Sequence, residues 1–241
     1  MIHRRVSAVL QLRDGFLGRP IEGNGARCQV DGAACRPQAK PGGYLVWTDL
    51  PEGMHRLTVC LPGFQPEEIA VEIQANQMWE GCASLKPGVG YPYGRGAVSI
   101  CLTIEQDGTP LADTEVWIAV AGEALLKIAQ DKAAAGAQQL RLFSKASVSA
   151  LPVPGMFLVD DKEPELVQLQ AIEQGEGTLA EPLIVSHARG RGLLPVQRYR
   201  TDAQGQIHVL LRSAVRLAVF YQNKVQYAEW QTGENNVALH F

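Results

Sequence analysis

Leu12-Arg-Asp-Gly-Phe-Leu-Gly-Arg-Pro-Ile21 decides the fold, because it returns later as Ile104-Glu-Gln-Asp-Gly-Thr-Pro-Leu111. Each stretch is the end of an apolar strand, an Asp-Gly turn, and a proline that fixes the exit of the chain. The segments downstream of each turn recur too. ArgCysGlnVal (27–30) is matched by GluValTrpIleAlaVal (115–120). Gly42-Gly-Tyr-Leu-Val-Trp47 is matched by Gly205-Gln-Ile-His-Val209, and HisArgLeuThrVal (55–59) by ArgLeuAlaValPhe (216–220). Both copies read strand, turn, strand, turn, strand, and the repeated frame contains no catalytic side chain.

Outward from the first copy, strands are expected at 6–12, 27–30, 44–47, 56–61 and 69–73. IleAlaValGluIle (69–73) alternates apolar and polar residues as a half-buried strand does. Short strands with Gly/Pro turns every eight to twelve residues indicate a β-sandwich. The expected first domain is 1–84. Residues 85–96, LeuLysProGlyValGlyTyrProTyrGlyArgGly, are too rich in glycine and proline for regular structure and read as a linker, with Tyr91 and Tyr93 pinning it to a neighbouring surface.

The second domain is expected over 97–241, with its frame interrupted by an insertion of mixed structure at about 121–195. Residues 123–135, GluAlaLeuLeuLysIleAlaGlnAspLysAlaAlaAla, are the one good helix candidate by composition. The alternative is a strand through 124–128 followed by an Ala-rich loop. Strands are expected at 140–143, 165–172 and 183–186, and loops at 152–157 and 160–164. The frame resumes at 196–200 and closes with strands at 207–211, 216–221, 225–230 and 236–241.

The first copy resembles the carboxypeptidase regulatory-like domain, a small transthyretin-like (prealbumin-like) β-sandwich. The residues that carry this are Asp14-Gly15 with Gly18-Arg19-Pro20, the Gly42-Gly43-Tyr44 strand entry, Leu50-Pro51-Glu52-Gly53, and Pro62-Gly63-Phe64. The second copy matches at Asp107-Gly108-Thr109-Pro110-Leu111 and at Thr201-Asp202 with Gly205. It departs where Leu210-Leu211-Arg212-Ser213 replaces the Leu-Pro-x-Gly turn. The resemblance implies an all-β chain of two tandem transthyretin-like or Ig-like sandwiches. It also implies a non-catalytic accessory module with no family-wide active site to carry over.

Bulk composition agrees with a globular chain. The hydrophobic content is 46%, the charged content 20% and the net charge −3. Arg4-Arg5 and Arg189, Arg191, Arg198 and Arg200 are short basic spots rather than a nucleic-acid face. The N-terminal stretch is too short and too polar for a secretion signal. No apolar run approaches the roughly 20 residues that span a bilayer. The expectation is a chain that is cytoplasmic as synthesised and then built into a particle; a mature form whose leader was removed is the alternative. The five cysteines (28, 35, 60, 82, 101) are odd in number, which argues against a complete disulfide framework. With no Cys-x-x-Cys and no histidine at ligand spacing, neither metal nor cofactor is expected.

The candidate chemistry is sparse. Ser186 and His187 are adjacent, so on a strand they point to opposite faces. Asp202, a conceivable third triad member, reads better as the Asx-type cap of the turn before Gly205. Asp160, Asp161, Glu163 and Glu165 offer hard oxygens but lack calcium-loop spacing, and read as a solvated acidic loop. Glu173 and Glu176 flank a glycine-rich turn, a poor platform for a catalytic pair. Trp47 reads as core. Trp79, Tyr91, Tyr93 and Trp230 are the expected partner or ligand contacts.

The leading expectation is a non-enzymatic structural or interaction module of a larger bacterial or phage-tail-like assembly. It would self-associate or bind a protein through sheet edges or the insertion. A carbohydrate-binding module with exposed coplanar rings is the alternative. An enzyme in the insertion would require polar side chains converging on His187.

Overall fold

The computed structural model describes residues 5–122, 124–145, 151–213, 215–229 and 236–241. These residues form twenty-three strands and no helix. The chain divides into two compact units, Met1–Ser99 with His208–Arg212, and Ile100–Ile207 with Ser213–Phe241.

The first unit holds β1 (Val6–Asp14), β2 (Arg27–Val30), β3 (Ala33–Cys35), β4 (Gln38–Lys40), β5 (Tyr44–Thr48), β6 (Gly53–Cys60), β7 (Glu67–Ile73) and β8 (Trp79–Leu85). They make two four-stranded sheets, β4-β5-β1-β8 and β3-β2-β6-β7. One core joins the sheets, because period-2 patterning sends Ala8, Leu10 and Leu12 of β1, Leu45 and Trp47 of β5, and Leu57 and Val59 of β6 inward. Full burial of each large aliphatic contributes about 1.5–3 kcal/mol. β1 and β8 run parallel, Ala8 opposite Trp79 and Asp14 opposite Leu85. Trp47 is buried at 3% exposure, as its strand position requires.

In the second unit are β9 (Val98–Gln106), β10 (Thr109–Pro110), β11 (Glu115–Val120), β12 (Leu126–Ile128), β13 (Lys132–Ala133), β14 (Gln139–Ser144), β15 (Gly155–Asp160) and β16 (Glu165–Glu173). After these come β17 (Glu176–Leu179), β18 (His187–Ala188), β19 (Gly192–Arg200), β20 (Gln206–Leu211, of which His208 onward is counted with the first unit), β21 (Leu217–Tyr221), β22 (Lys224–Ala228) and β23 (Asn236–His240).

The repeat is visible in hydrogen bonds. In the first unit, the Leu12 N–H donates to the Gly43 carbonyl and the Ile21 N–H to the Leu12 carbonyl. In the second, the Ile104 N–H donates to Gly205 and the Leu111 N–H to Ile104. β2 pairs antiparallel with β6, and β11 likewise with β21. β23 lies parallel to β9 as β8 does to β1. In the first copy, residues 31–43 with the short strands β3 and β4 connect the second and third repeated segments. In the second copy the insertion occupies the same place.

That insertion is not of mixed structure. It is an antiparallel ring in the order β12-β14-β17-β16-β15-β19, closed by the pairing of β19 back onto β12, Leu193 opposite Leu126. Six strands enclose a narrow interior. Leu126, Ile128, Leu140, Leu142, Phe157, Val159, Val167, Leu169, Leu179 and Leu193 fill it. At Gly177 a Cβ would fall 2.6 Å from Leu142 Cδ1 and 2.8 Å from Leu169 Cδ2, so only glycine lets the wall close there.

Three expectations in this region are corrected. Residues 124–135 are not helical. Leu126 and Ile128 are buried and Lys127 lies between them, the alternation of a strand that pairs on both edges. Helix propensity is a weak prior that such pairing overrides. The alternative of a short strand and then a loop is what forms. Residues 183–186 are not a strand either, because the backbone donors of Ile184 and Val185 serve the buried carboxylate of Glu165. The expected loop at 152–157 is strand from Gly155 onward.

Candidate functional site

Tyr91 and Tyr93 belong to a ring cluster within the first unit. Tyr91 meets Phe16 at 5.9 Å, Phe64 at 5.3 Å and Tyr93 at 5.7 Å between ring centroids, all edge-to-face at 78–82°. The Tyr91 hydroxyl donates to Asp14 Oδ2 at 2.6 Å. Asp14 Oδ1 accepts the N–H groups of Phe16 and Leu17, both at 2.8 Å, which is why the Asp-Gly turn carries an aspartate. Burial, and then the bond to Asp14, push the Tyr91 hydroxyl well above the usual phenol range. The glycine- and proline-rich stretch is thus held against its own unit. It is further tied by Gln65 N–H to the Lys86 carbonyl and Gly88 N–H to the Gly63 carbonyl. Arg19 lies over the Tyr93 ring at 5.0 Å.

Trp79 sits on the inward side of β8 and packs partly buried against the first core, its indole lying over Gly81. Trp230 lies outside the described residues, as do His3 and Arg4. Tyr91 and Tyr93, the two of these rings in mutual contact, meet edge to face. They do not make the coplanar platform that stacking on a sugar face requires.

Polar side chains do converge on His187. Its Nδ1 lies 3.2 Å from Asp161 Oδ2 and its Nε2 3.2 Å from Glu165 Oε2. Arg191 Nε reaches Asp161 Oδ1 at 3.1 Å. Glu165 also accepts the Ile184 N–H at 3.1 Å and the Val185 N–H at 2.9 Å. Glu165 is in phase with Val167 and Leu169, so its carboxylate enters the barrel side of β16. β18 pairs with β13, His187 opposite Ala133, and both Ala133 and Leu183 belong to the barrel core. The assembly is a polar cap on the barrel, built from the β15–β16 connection, the first residue of β16, β18 and the turn that follows it. Burial works to raise the Asp161 carboxyl, but the Lys162 N–H, His187 and Arg191 outweigh it and hold it below its usual range.

The reading of 160–165 as a solvated loop is therefore corrected for Asp161 and Glu165. The signal was present: Glu165 shares the inward face of a strand with Val167 and Leu169, and a carboxylate placed there requires partners. The same geometry decides what the cap can do. Both ring nitrogens face carboxylates, and the His187 side chain is fully buried, which leaves no atom for a substrate. Ser186 takes no part, since its Oγ accepts the Ala135 N–H.

Asp202 has the role its sequence context indicates. Its Oδ1 accepts the N–H groups of Gln204 at 2.9 Å and Gln206 at 2.8 Å, closing the turn at Gly205. Among the described residues, no buried side-chain nitrogen or oxygen lacks a partner, and no group of three or more His, Cys, Asp or Glu is placed to hold a metal. No helix among them is long and apolar enough to cross a membrane.

No family model and no curated protein matches the chain. Among solved structures, a variant of BcpA, the major pilin subunit of Bacillus cereus, is similar at 8% identity and a TM-score of 0.30, with 99% of each chain covered. The Bacillus anthracis TIE protein aligns at 11% identity and 0.30, over 98% of this chain and 50% of its own. A streptococcal ancillary pilin aligns at 8% identity and 0.24, over 99% of both. Likenesses this weak carry no argument about what the chain does.

Proposed function

We propose that the protein is a non-catalytic structural or interaction module that acts through its outer surface as part of a larger assembly. One observation carries this reading: among the described residues, the histidine and carboxylates that the sequence offered as an active site are engaged by the protein itself. His187, Asp161 and Glu165 close the barrel cap, Asp14 and Asp202 close turns, and the barrel interior is filled by its own leucines and Phe157. What remains accessible is surface, including Phe143 at 58% and Ile184 at 76% exposure. Neither the fold nor the comparisons favour a phage-tail-like setting over any other, and none is assigned.

Native mass spectrometry of the protein isolated from its own host tests the reading. A defined homo-oligomer or a partner at fixed stoichiometry is expected, weakened by Phe143→Asp. A chain that is isolated alone and stays monomeric over a concentration series overturns it.

A further inference from the structure

The β2–β3 hairpin turns through Asp31 and Gly32, both at positive φ (52° and 80°), the backbone of a two-residue type I′ turn. That turn sets the register: Val30 opposite Ala33, Gln29 opposite Ala34, and Cys28 opposite Cys35. Directly opposed residues of an antiparallel pair project to the same face, with Cα atoms about 4.5–5.5 Å apart. A disulfide needs Cα atoms about 4.4–6.8 Å apart. Both sulfurs lie on the core side. Cys28 is buried at 4% exposure, and the Cys35 Sγ accepts the Nε1–H of buried Trp47 at 3.3 Å. Both thiols are free.

We propose that Cys28 and Cys35 are a redox-modifiable pair, closed to a cross-strand disulfide by a low-molecular-weight disulfide such as oxidised glutathione. The order of events follows from access. Cys35 is the more exposed, so its thiolate attacks the oxidant, forms a mixed disulfide and releases one glutathione thiolate. Cys28 then loses its proton and attacks the Cys35 sulfur, which expels the second glutathione thiolate. Two protein thiols are oxidised and one glutathione disulfide is reduced to two glutathione molecules. Burial first, and the neighbouring Cys35 and Cys60 second, push the Cys28 thiol up to about 12, so the closing step is slow and quickens as pH rises. The inference concerns the hairpin alone and is independent of the proposed function.

The test is to equilibrate the folded protein with oxidised glutathione, alkylate the remaining thiols, and map the products by mass. The expected product is the peptide bearing residues 28–35 with two hydrogens lost and neither cysteine alkylated. Cys28→Ser is expected to trap glutathione on Cys35. Retention of glutathione on Cys35 in the unmutated protein, with Cys28 still alkylatable, overturns the proposal. So does a bond mapped to any other pair, or both thiols remaining free while exposed Cys82 is modified. If the serine variant does not fold, mapping of the unmutated chain alone decides.

Discussion

Gly43 and Gly205 show most directly why single residues recur in the two copies. Both have positive φ, 81° and 72°. A Cβ on Gly43 would lie 2.5 Å from the Ile21 carbonyl oxygen and 2.8 Å from that of Leu12. On Gly205 it would lie 3.0 Å from the Ile104 carbonyl oxygen. Gly43→Ala is therefore expected to cost about 2–4 kcal/mol from the left-handed backbone and the clash together, read from urea unfolding. An unchanged midpoint would refute that account of the repeat. At the barrel cap, His187→Ala removes one partner from the buried Glu165 carboxylate. A loss of roughly 3–5 kcal/mol is expected, with much of it recovered when Glu165 is also replaced by leucine. If the double variant is no more stable than the single one, the cap is held by something other than the charge pair. The glycines and Asp202 were legible in sequence because turn chemistry is local. The partners of Glu165 were not, because His187 and the Ile184 and Val185 N–H groups reach it only through folding.

At the scale of elements, the sequence pattern identified β1, β2, β5, β6 and β7 of the first unit, but only β14 and β16 within the insertion. It failed at β12, where a composition favourable to helix lost to pairing on two edges. It also passed over β3, β4 and β8, which are short or carry few apolar residues. The β2–β3 turn is braced across strands. His55 Nδ1 contacts Asp31 Oδ2 at 2.7 Å and Nε2 contacts the Pro51 carbonyl at 3.0 Å, while the Arg56 N–H reaches Asp31 Oδ1 at 2.8 Å. The bond to Asp31, then that to Pro51, raise the His55 pKa above its ordinary 6.5. The Arg56 N–H, then His55, lower that of Asp31 below 3.8. A raised histidine stabilises fully below its unfolded value and loses that contribution as pH rises through its folded value. A depressed aspartate stabilises above its unfolded value and loses that as pH falls through its folded one. The Tm deficit of His55→Gln should thus be largest in the mildly acidic window between about 3.8 and 6.5, and shrink above it. A deficit that grows toward alkaline pH would contradict this.

Within the second unit as a whole, β19 joins two structures. Gly192 to Pro195 pair with β15 of the barrel, while Val196 to Arg200 pair with β11. Because one unbroken strand serves both, the barrel and the β11–β21 sheet should unfold together. Phe157→Ala, a cavity in the barrel core costing about 3–5 kcal/mol, should lower hydrogen-exchange protection in β11 and β21 as well as in the barrel. Loss confined to the barrel would mean that the insertion folds as an independent body. Sequence alone determined that the chain is built of strands and that a turn-and-strand frame occurs twice. These are matters of local turn chemistry and period-2 patterning, written into neighbouring residues. Only the tertiary structure decided that the insertion closes into a ring and that a carboxylate and a histidine cap it. Strand partners, ring closure and charge pairing are relations between distant residues, and no local pattern encodes them.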